Sequence, residues 1–381
     1  MKTPHAALSL EKFRESPQKE IKNFLKQLDD SAPATFIFLG SEEFIPELEK
    51  QLKEWKGVVC ACTTCGEIVE GQYLRTHVVG LSFSSERIHC KSLIFELGGE
   101  DLNASEEFGK ASVEIERFRA DMLMNEPKTK FFATLVIDGM AIKEELFLNG
   151  FHKYVVDMPF LGGSAADNFE FKRSFIYDGA KFRTNIANVL VFSTSLPFKA
   201  FKTQDFDITD KRMVVTESEP GKRKISEIDG IPAADAYAEA LGMPVSELNL
   251  KVFANNPLIV NYGGRNYIRS VLYTNKKKEL AFACAMETGV VVRLGARVGK
   301  LVEGLKSELE NVDFEIDTSL VFECSLRRHD ILNAPESEKE ALLDLFKEIN
   351  AVGFHTYGEQ FESVHINQTL TGLLIGHART E

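Results

Sequence analysis

The tightest constraint on this chain is a series of short apolar runs, rich in β-formers, with turn residues between them. TFIFLG (35–40) stops at Gly40, KGVVCACTTCGEI (56–68) and THVVGLSFSS (76–85) contain glycine turns, and FFATLVIDG (131–139) stops at Asp138-Gly139. Apolar runs of this length with such boundaries read as buried strands. Between them, residues 10–28, 42–55 and about 103–124 place apolar side chains at three/four spacing, which predicts helices. The first half therefore alternates strand, helix, strand, strand, helix, strand. That order predicts an α/β fold of the mixed α+β kind, with mixed sheets flanked by helices.

Successive strand candidates fill 171–216, and the polar stretch ESEPGKR (217–223) is the best boundary for a second domain. Beyond it, IPAADAYAEALG (231–242) reads as a helix with Pro232 at its start and Gly242 at its end. Strand patterns follow in 267–284 and 290–296. A helix (299–312), a strand (318–328), a helix (336–350) and a final strand (368–378) close the chain. The expected parts are an N-terminal helical segment (1–32) and two domains (33–223 and 224–381). A chain of 381 residues suits two domains. No repeat with a period of 20–50 residues is visible.

Composition narrows the function classes. Lys plus Arg number 45 against 57 Asp plus Glu, a net charge of −12, which argues against docking on nucleic acid. No run approaches the ~18 apolar residues of a membrane helix, and the first twenty residues lack a signal-peptide core. The expectation is a cytoplasmic protein whose six cysteines are reduced thiols. With 29 phenylalanines, its cores or cavities should be lined by Phe.

Phosphate-loop, dinucleotide, zinc-protease and hydrolase-elbow signatures are absent. Cys60, Cys62 and Cys65 form CACTTC, which lacks a second half-site and reads as a buried strand end. The run Phe160 to Phe169 holds Gly162, Gly163, Ser164, Asp167 and Asn168. It reads as a turn that brings backbone N–H groups close to a ligand or caps itself. His355 and His365 lie in a polar C-terminal stretch, and Arg327-Arg328 precedes His329 at a predicted strand end. Imidazoles can ligate a metal and arginines can grip a carboxylate.

Taken together, CTTCGEI (62–68), FLGGSAADNFEF (160–171), IDGIPAADAY (228–237) and YGEQ…NQT (357–369) resemble the bacterial FIST sensory proteins. FIST N would span roughly 33–223 and FIST C about 224–370. The chain is also similar to the NosP-type haemoproteins that sense nitric oxide. The resemblance implies a ligand-binding sensor, not an enzyme, that holds non-covalent haem b through His329, His355 or His365, with Arg327 and Arg328 on the propionates. Its implied partners are a histidine kinase of a two-component system or a diguanylate cyclase or phosphodiesterase of cyclic-di-GMP signalling, with a homodimer as one state. An alternative within the family is a haem-free sensor of amino acids, using Gly162, Gly163, Ser164, Asp167, Asn168 and Arg293 or Arg297. An enzyme with Cys65 as nucleophile is a third reading.

Overall fold

A computed structural model describes residues 3–98, 102, 106–299 and 301–377 of the chain. Its strands form three six-stranded sheets and one eight-stranded sheet. The six-stranded sheets follow one plan, each built mainly by one stretch of chain. The first stretch supplies β1 (His5–Ser9), β2 (Ala34–Leu39), β3 (Val58–Thr63), the hairpin β4 (Glu67–Val69) and β5 (Gln72–Leu74), and β6 (His77–Phe83). The second supplies β7 (Ile88–Glu96), β8 (Lys130–Asp138), β9 (Phe160–Ala165), the hairpin β10 (Ile176–Tyr177) and β11 (Phe182–Arg183), and β12 (Ile186–Thr194). The third supplies β13 (Phe198–Gln204), β14 (Ile316–Cys324), β15 (Ala351–Thr356), the hairpin β16 (Glu359–Phe361) and β17 (Val364–Ile366), and β18 (Thr369–Gly376).

In every stretch the second and third strands pair in parallel, and the last strand lies antiparallel beside the second. The hairpin pairs with a neighbouring stretch and not with its own. β4–β5 joins β15, β10–β11 joins β3, and β16–β17 joins β9. The chain is thus a ring of three repeats, each of which lends a hairpin to another. A repeat of this length lies outside the 20–50-residue period, which is why it is invisible as local self-similarity.

The inner faces of the three sheets meet in one core, where Phe36, Phe38, Phe83, Phe132, Phe192, Phe322 and Phe354 pack together. Those phenylalanines account for part of the excess in the composition. Helices cover the outer faces. α1 (Leu10–Glu15), α2 (Pro17–Leu25) and α3 (Ile45–Leu52) bury their apolar stripes on the first sheet. α4 (Glu106–Asn125) and α5 (Glu144–Phe151) cover the second. The remaining sheet is an insert between β13 and α8 (Glu303–Glu310), and it carries α6 (Ala233–Leu241) and α7 (Leu250–Asn255). α6 ends at Gly242 in the left-handed conformation, as its sequence predicts. The insert core takes in Ile366, with Phe361 and Val364 packed against it, so the insert sits on the β16–β17 hairpin. α8, α9 (Ser325–Leu332) and α10 (Glu336–Glu348) cover the third sheet.

Two local expectations resolve differently, and a third holds over the described residues. Residues 1–32 are not purely helical: β1 pairs with β6 along its length, and α1 and α2 close over that sheet. The polar stretch 217–223 is a hairpin connection, with strands Phe206–Glu219 and Lys224–Ile228 paired across it. The helix expected over about 103–124 is seen as Glu106–Asn125; residues 103–105 lie outside the described residues.

Candidate functional site

Ligands of open α/β sheets gather at the carboxyl ends of parallel strands. Here the carboxyl ends of all three parallel pairs point to one end of the ring, and the turns that leave β3, β9 and β15 meet there. Their backbones interlock in a cycle. Cys65 N–H donates to His355 O at 3.0 Å, Tyr357 N–H to Ser164 O at 3.2 Å, and Ala166 N–H to Thr63 O at 2.9 Å.

Two of the three turns share a sequence, Thr64-Cys65-Gly66-Glu67 and Thr356-Tyr357-Gly358-Glu359. In each, glycine takes a backbone that disfavours a side chain, φ +131° at Gly66 and +144° at Gly358. Each glutamate is buried and folds back on its threonine hydroxyl, Thr64 Oγ1 to Glu67 Oε1 at 2.5 Å and Thr356 Oγ1 to Glu359 Oε1. The other carboxylate oxygen receives the N–H that opens the last strand of the repeat, from His77 at 3.1 Å and from Thr369 at 3.3 Å. Burial pushes both carboxyls up to about 8 against the pull of those hydrogen bonds. In the middle repeat Ile176 holds the register position of these glutamates. There Asp138, at the end of β8, receives the N–H of Asn185, just before the last strand, at 2.6 Å and the Ser174 hydroxyl.

The middle repeat differs again in its turn, which widens into a flap over residues 167–173. Asn168, Phe169 and Phe171 have φ of +59°, +67° and +53°, a backbone rarely adopted by bulky residues. Asp167 holds the flap by accepting the N–H groups of Phe171 (2.9 Å), Lys172 (2.6 Å) and Arg173 (3.0 Å). Tyr357 Oη donates to Asp167 at 2.5 Å and accepts from Phe169 N–H at 2.9 Å. Burial works against the Asp167 charge, yet these donors keep its carboxyl below the usual range. Phe171 stacks on Tyr357 at 5.0 Å and leaves 60% of its surface exposed. Beneath the flap, burial pushes the Cys65 thiol up to about 12, although the Tyr357 hydroxyl and the Phe169 and Asn168 N–H groups favour a thiolate there. A protonated, buried thiol is a poor nucleophile.

Beside the flap lies a crevice of about 560 Å³, floored by the ends of β2 and β3. Its charged lining is already engaged: Glu42 with Arg173 at 2.9 Å, Lys172 with Glu170 at 2.9 Å, Glu43 with Arg14, and Asp167 with the flap N–H groups and Tyr357. The remaining polar lining is largely hydroxyl, amide and backbone: Ser41, Thr63, Thr64, Thr76 and Asn168. Asn168 Nδ2 donates to Gly40 O at 3.0 Å and so ties flap to floor. A larger crevice of about 920 Å³ opens at the opposite end of the ring, among Phe83, Leu196 and Ile375, where the last strand of each repeat ends.

The expected site residues do not gather in one place. Asp167 and Asn168 reach the crevice. Gly162, Gly163 and Ser164 belong to buried β9, not to a turn, and their role is close packing. A Cβ on Gly162 would run into Leu135 O, and one on Gly163 would meet Thr356 Cγ2 at 2.6 Å. Ser164 donates to Glu144 at 2.9 Å inside a buried network of Gln360, His365 and Arg223. Arg293 sits in the insert sheet and donates to Thr209 O at 3.3 Å; none of its described contacts joins it to 162–168. Arg297 pairs with Asp330 at 2.9 Å.

Arg327 and Arg328 lie in the first turn of a helix where a strand end was expected. Arg327 is buried and bound to Glu323 and to Asp205 at 3.0 Å. His355 lies 3.3 Å from Glu323 with the Tyr73 ring edge-on at 4.7 Å, and burial lowers its proton affinity more than Glu323 raises it. His365 accepts from Gln360 Nε2 at 3.2 Å through Nδ1 and is likewise held neutral by burial. His329 is half exposed on α9. Sequence reasoning missed Tyr357, Thr63, Thr64 and the two buried glutamates, although the recurrence of Thr-x-Gly-Glu was there to find.

Residues 34–231 match the FIST N domain model and residues 233–362 the FIST C domain model. The chain belongs to the FIST family. FIST domains are small-ligand sensory domains of signalling proteins. No curated protein matches this FIST chain. The two FIST models meet inside the insert of the third repeat, so two of the ring's three sheets draw strands from both. No helix among the described residues is long and apolar enough to cross a membrane.

Proposed function

We propose that this FIST protein senses a small polar ligand, such as an amino acid, held in the crevice at the ends of β2 and β3. The observation that supports this most is the flap. Its strained backbone is fastened by Asp167 and Tyr357, groups from two repeats, directly beside a crevice lined by hydroxyl and amide groups and by charges that already have partners. A ligand that touches Asn168 or Thr63 binds flap-closed and flap-open states differently, and only such a difference can shift their balance. Tyr357 continues into the β16–β17 hairpin on which the insert rests, so flap position has a physical route to the insert surface. A histidine kinase or a cyclic-di-GMP enzyme would read that surface, and the protein itself performs no chemistry.

The geometry favours this over the haem reading. Three histidines were the candidate ligands, and as placed they do not fit a porphyrin. A Cβ on Gly358 would already lie 2.8 Å from His365 Nε2, and one on Gly66 would lie 3.1 Å from His355 Cδ2. His329 stands on the helix surface, and neither crevice at the ends of the ring borders any of the three.

Thermal denaturation with a panel of amino acids and other small polar molecules tests the proposal. A ligand at 100 times its Kd should stabilise by about 2.7 kcal/mol. Asp167→Ala and Thr63→Val should each erase that shift. A panel with no hit, together with a stoichiometric, NO-sensitive Soret band after haem reconstitution, would return the haem reading to first place.

A further inference from the structure

The arginine doublet behaves as two different residues. Arg327 has two carboxylates, while neighbouring Arg328 makes no ion pair among the described residues, and its Nε is buried without a hydrogen-bond partner. Arg328 as a whole is half-buried, and Glu323, the carboxylate that acts on it, is already bound to Arg327; a buried donor left without an acceptor is costly. The group that Arg328 faces is the Thr64–Glu67 turn. A Cβ on Gly66 would stand 3.5 Å from Arg328 Nε and 2.9 Å from Leu74 O, which brings the residue after Leu74 into the same neighbourhood. That residue is Arg75. It donates Nε to Asn168 Oδ1 at 3.3 Å and has no carboxylate partner among the described residues. Burial and the neighbouring Arg75 both disfavour charge on Arg328, so the two guanidiniums repel each other. The nearby carboxyl of Glu67 feels both arginines but is turned inward onto Thr64 and His77 and makes an ion pair with neither.

We propose that Arg75 and Arg328 form a binding site for a small oxyanion, a carboxylate or a phosphate, distinct from the polar crevice on the other side of Asn168. Planar guanidiniums bind both groups through paired N–H donors. An anion between them would cancel the repulsion and supply the acceptor that Arg328 Nε lacks. It would also reach Asn168 through Arg75, so its occupancy would bear on the flap. The inference does not depend on what the crevice holds.

Titration calorimetry and thermal shift of the full chain with inorganic phosphate, with acetate, and with chloride at matched ionic strength test the site. Phosphate or acetate should bind saturably and raise Tm where chloride does not. Tighter phosphate binding would point to a phosphoryl ligand and tighter acetate binding to a carboxylate. Arg75→Met and Arg328→Met should each weaken that binding at least tenfold, and Arg328→Lys should restore part of it. Arg75 is exposed, so Arg75→Met keeps the test alive if Arg328→Met does not fold. Anion binding that survives Thr63→Val would stand even if no crevice ligand is found. The absence of a saturable response to either anion, or an equal response in Arg75→Met, would overturn the proposal.

Discussion

The turn after β15 and the turn after β9 occupy the same position in two repeats and have opposite characters. After β15, four residues close the strand end and bury a glutamate, so the space is filled by the protein itself. After β9, the glutamate position is taken by Ile176, the buried carboxyl moves to Asp138, and the released length becomes a flap beside a crevice. One geometry therefore serves closure in two repeats and access in the third. Repetition gives a protein spare copies of a structural joint, and one copy is free to take on binding while the others keep the ring shut.

The largest effects should come from the closed joints. Glu359→Ala removes the acceptor of Thr356 and Thr369 and leaves a hole in a buried site, at a cost of about 3 kcal/mol by urea denaturation. The matching Glu67→Ala should fall in the same range; a loss below about 1 kcal/mol in both would break the comparison. These carboxyls hold their protons more tightly in the folded chain, at about 8, than in the unfolded one, at 4.5. Their contribution to stability should therefore be full below pH 4.5 and be lost as pH rises through about 8. Glu67→Gln with Glu359→Gln should flatten that slope, as followed by Tm across pH.

Next in size, Gly163→Ala drives a methyl against Thr356 and Phe322 and should cost about 2 kcal/mol through overpacking. The open joint should respond less. Asp167→Ala frees three backbone donors at a half-exposed site and should cost about 1 kcal/mol while abolishing ligand response. Because its carboxyl is held below the usual 3.8, this contribution should disappear only as pH falls through that depressed value. The smallest effect concerns Cys65. With its thiol at about 12, native protein at pH 8 should alkylate there at least about a hundredfold more slowly than a free thiol. Fast labelling at that position would revive the enzyme reading.

Much of the secondary structure was legible in the residues, because buried strands and capped helices leave local marks. TFIFLG and FFATLVIDG became β2 and β8, and Pro232 and Gly242 bracket α6. The errors share one cause, which is that long-range partners overrule local preference. Gly162-Gly163 looks like a turn because two glycines permit one, yet Leu135 and Thr356 need the missing side chains to pack. Arg327 looks solvated until Asp205, a hundred residues away and more, arrives beside it. Of the candidate site, Asp167 and Asn168 were legible as turn formers with polar reach. Tyr357 was not, since nothing near it in the chain announces that it meets Asp167 across 190 positions.

The exchange of hairpins around the ring has a consequence for how the protein comes into being. Each hairpin closes a loop between distant segments, so contacts are non-local and the entropy of closure precedes most of the reward. When the chain emerges from the ribosome, β4–β5 has no strand to join until β15 is made, and β9 keeps an unpaired flank until β16 arrives. Unpaired strand flanks invite pairing with other chains. The protein should thus fold slowly and as one cooperative unit, with the halves 33–223 and 224–381 insoluble apart and soluble when produced together. At high concentration, a hairpin of one copy can complete the ring of another through the very contacts that close it alone.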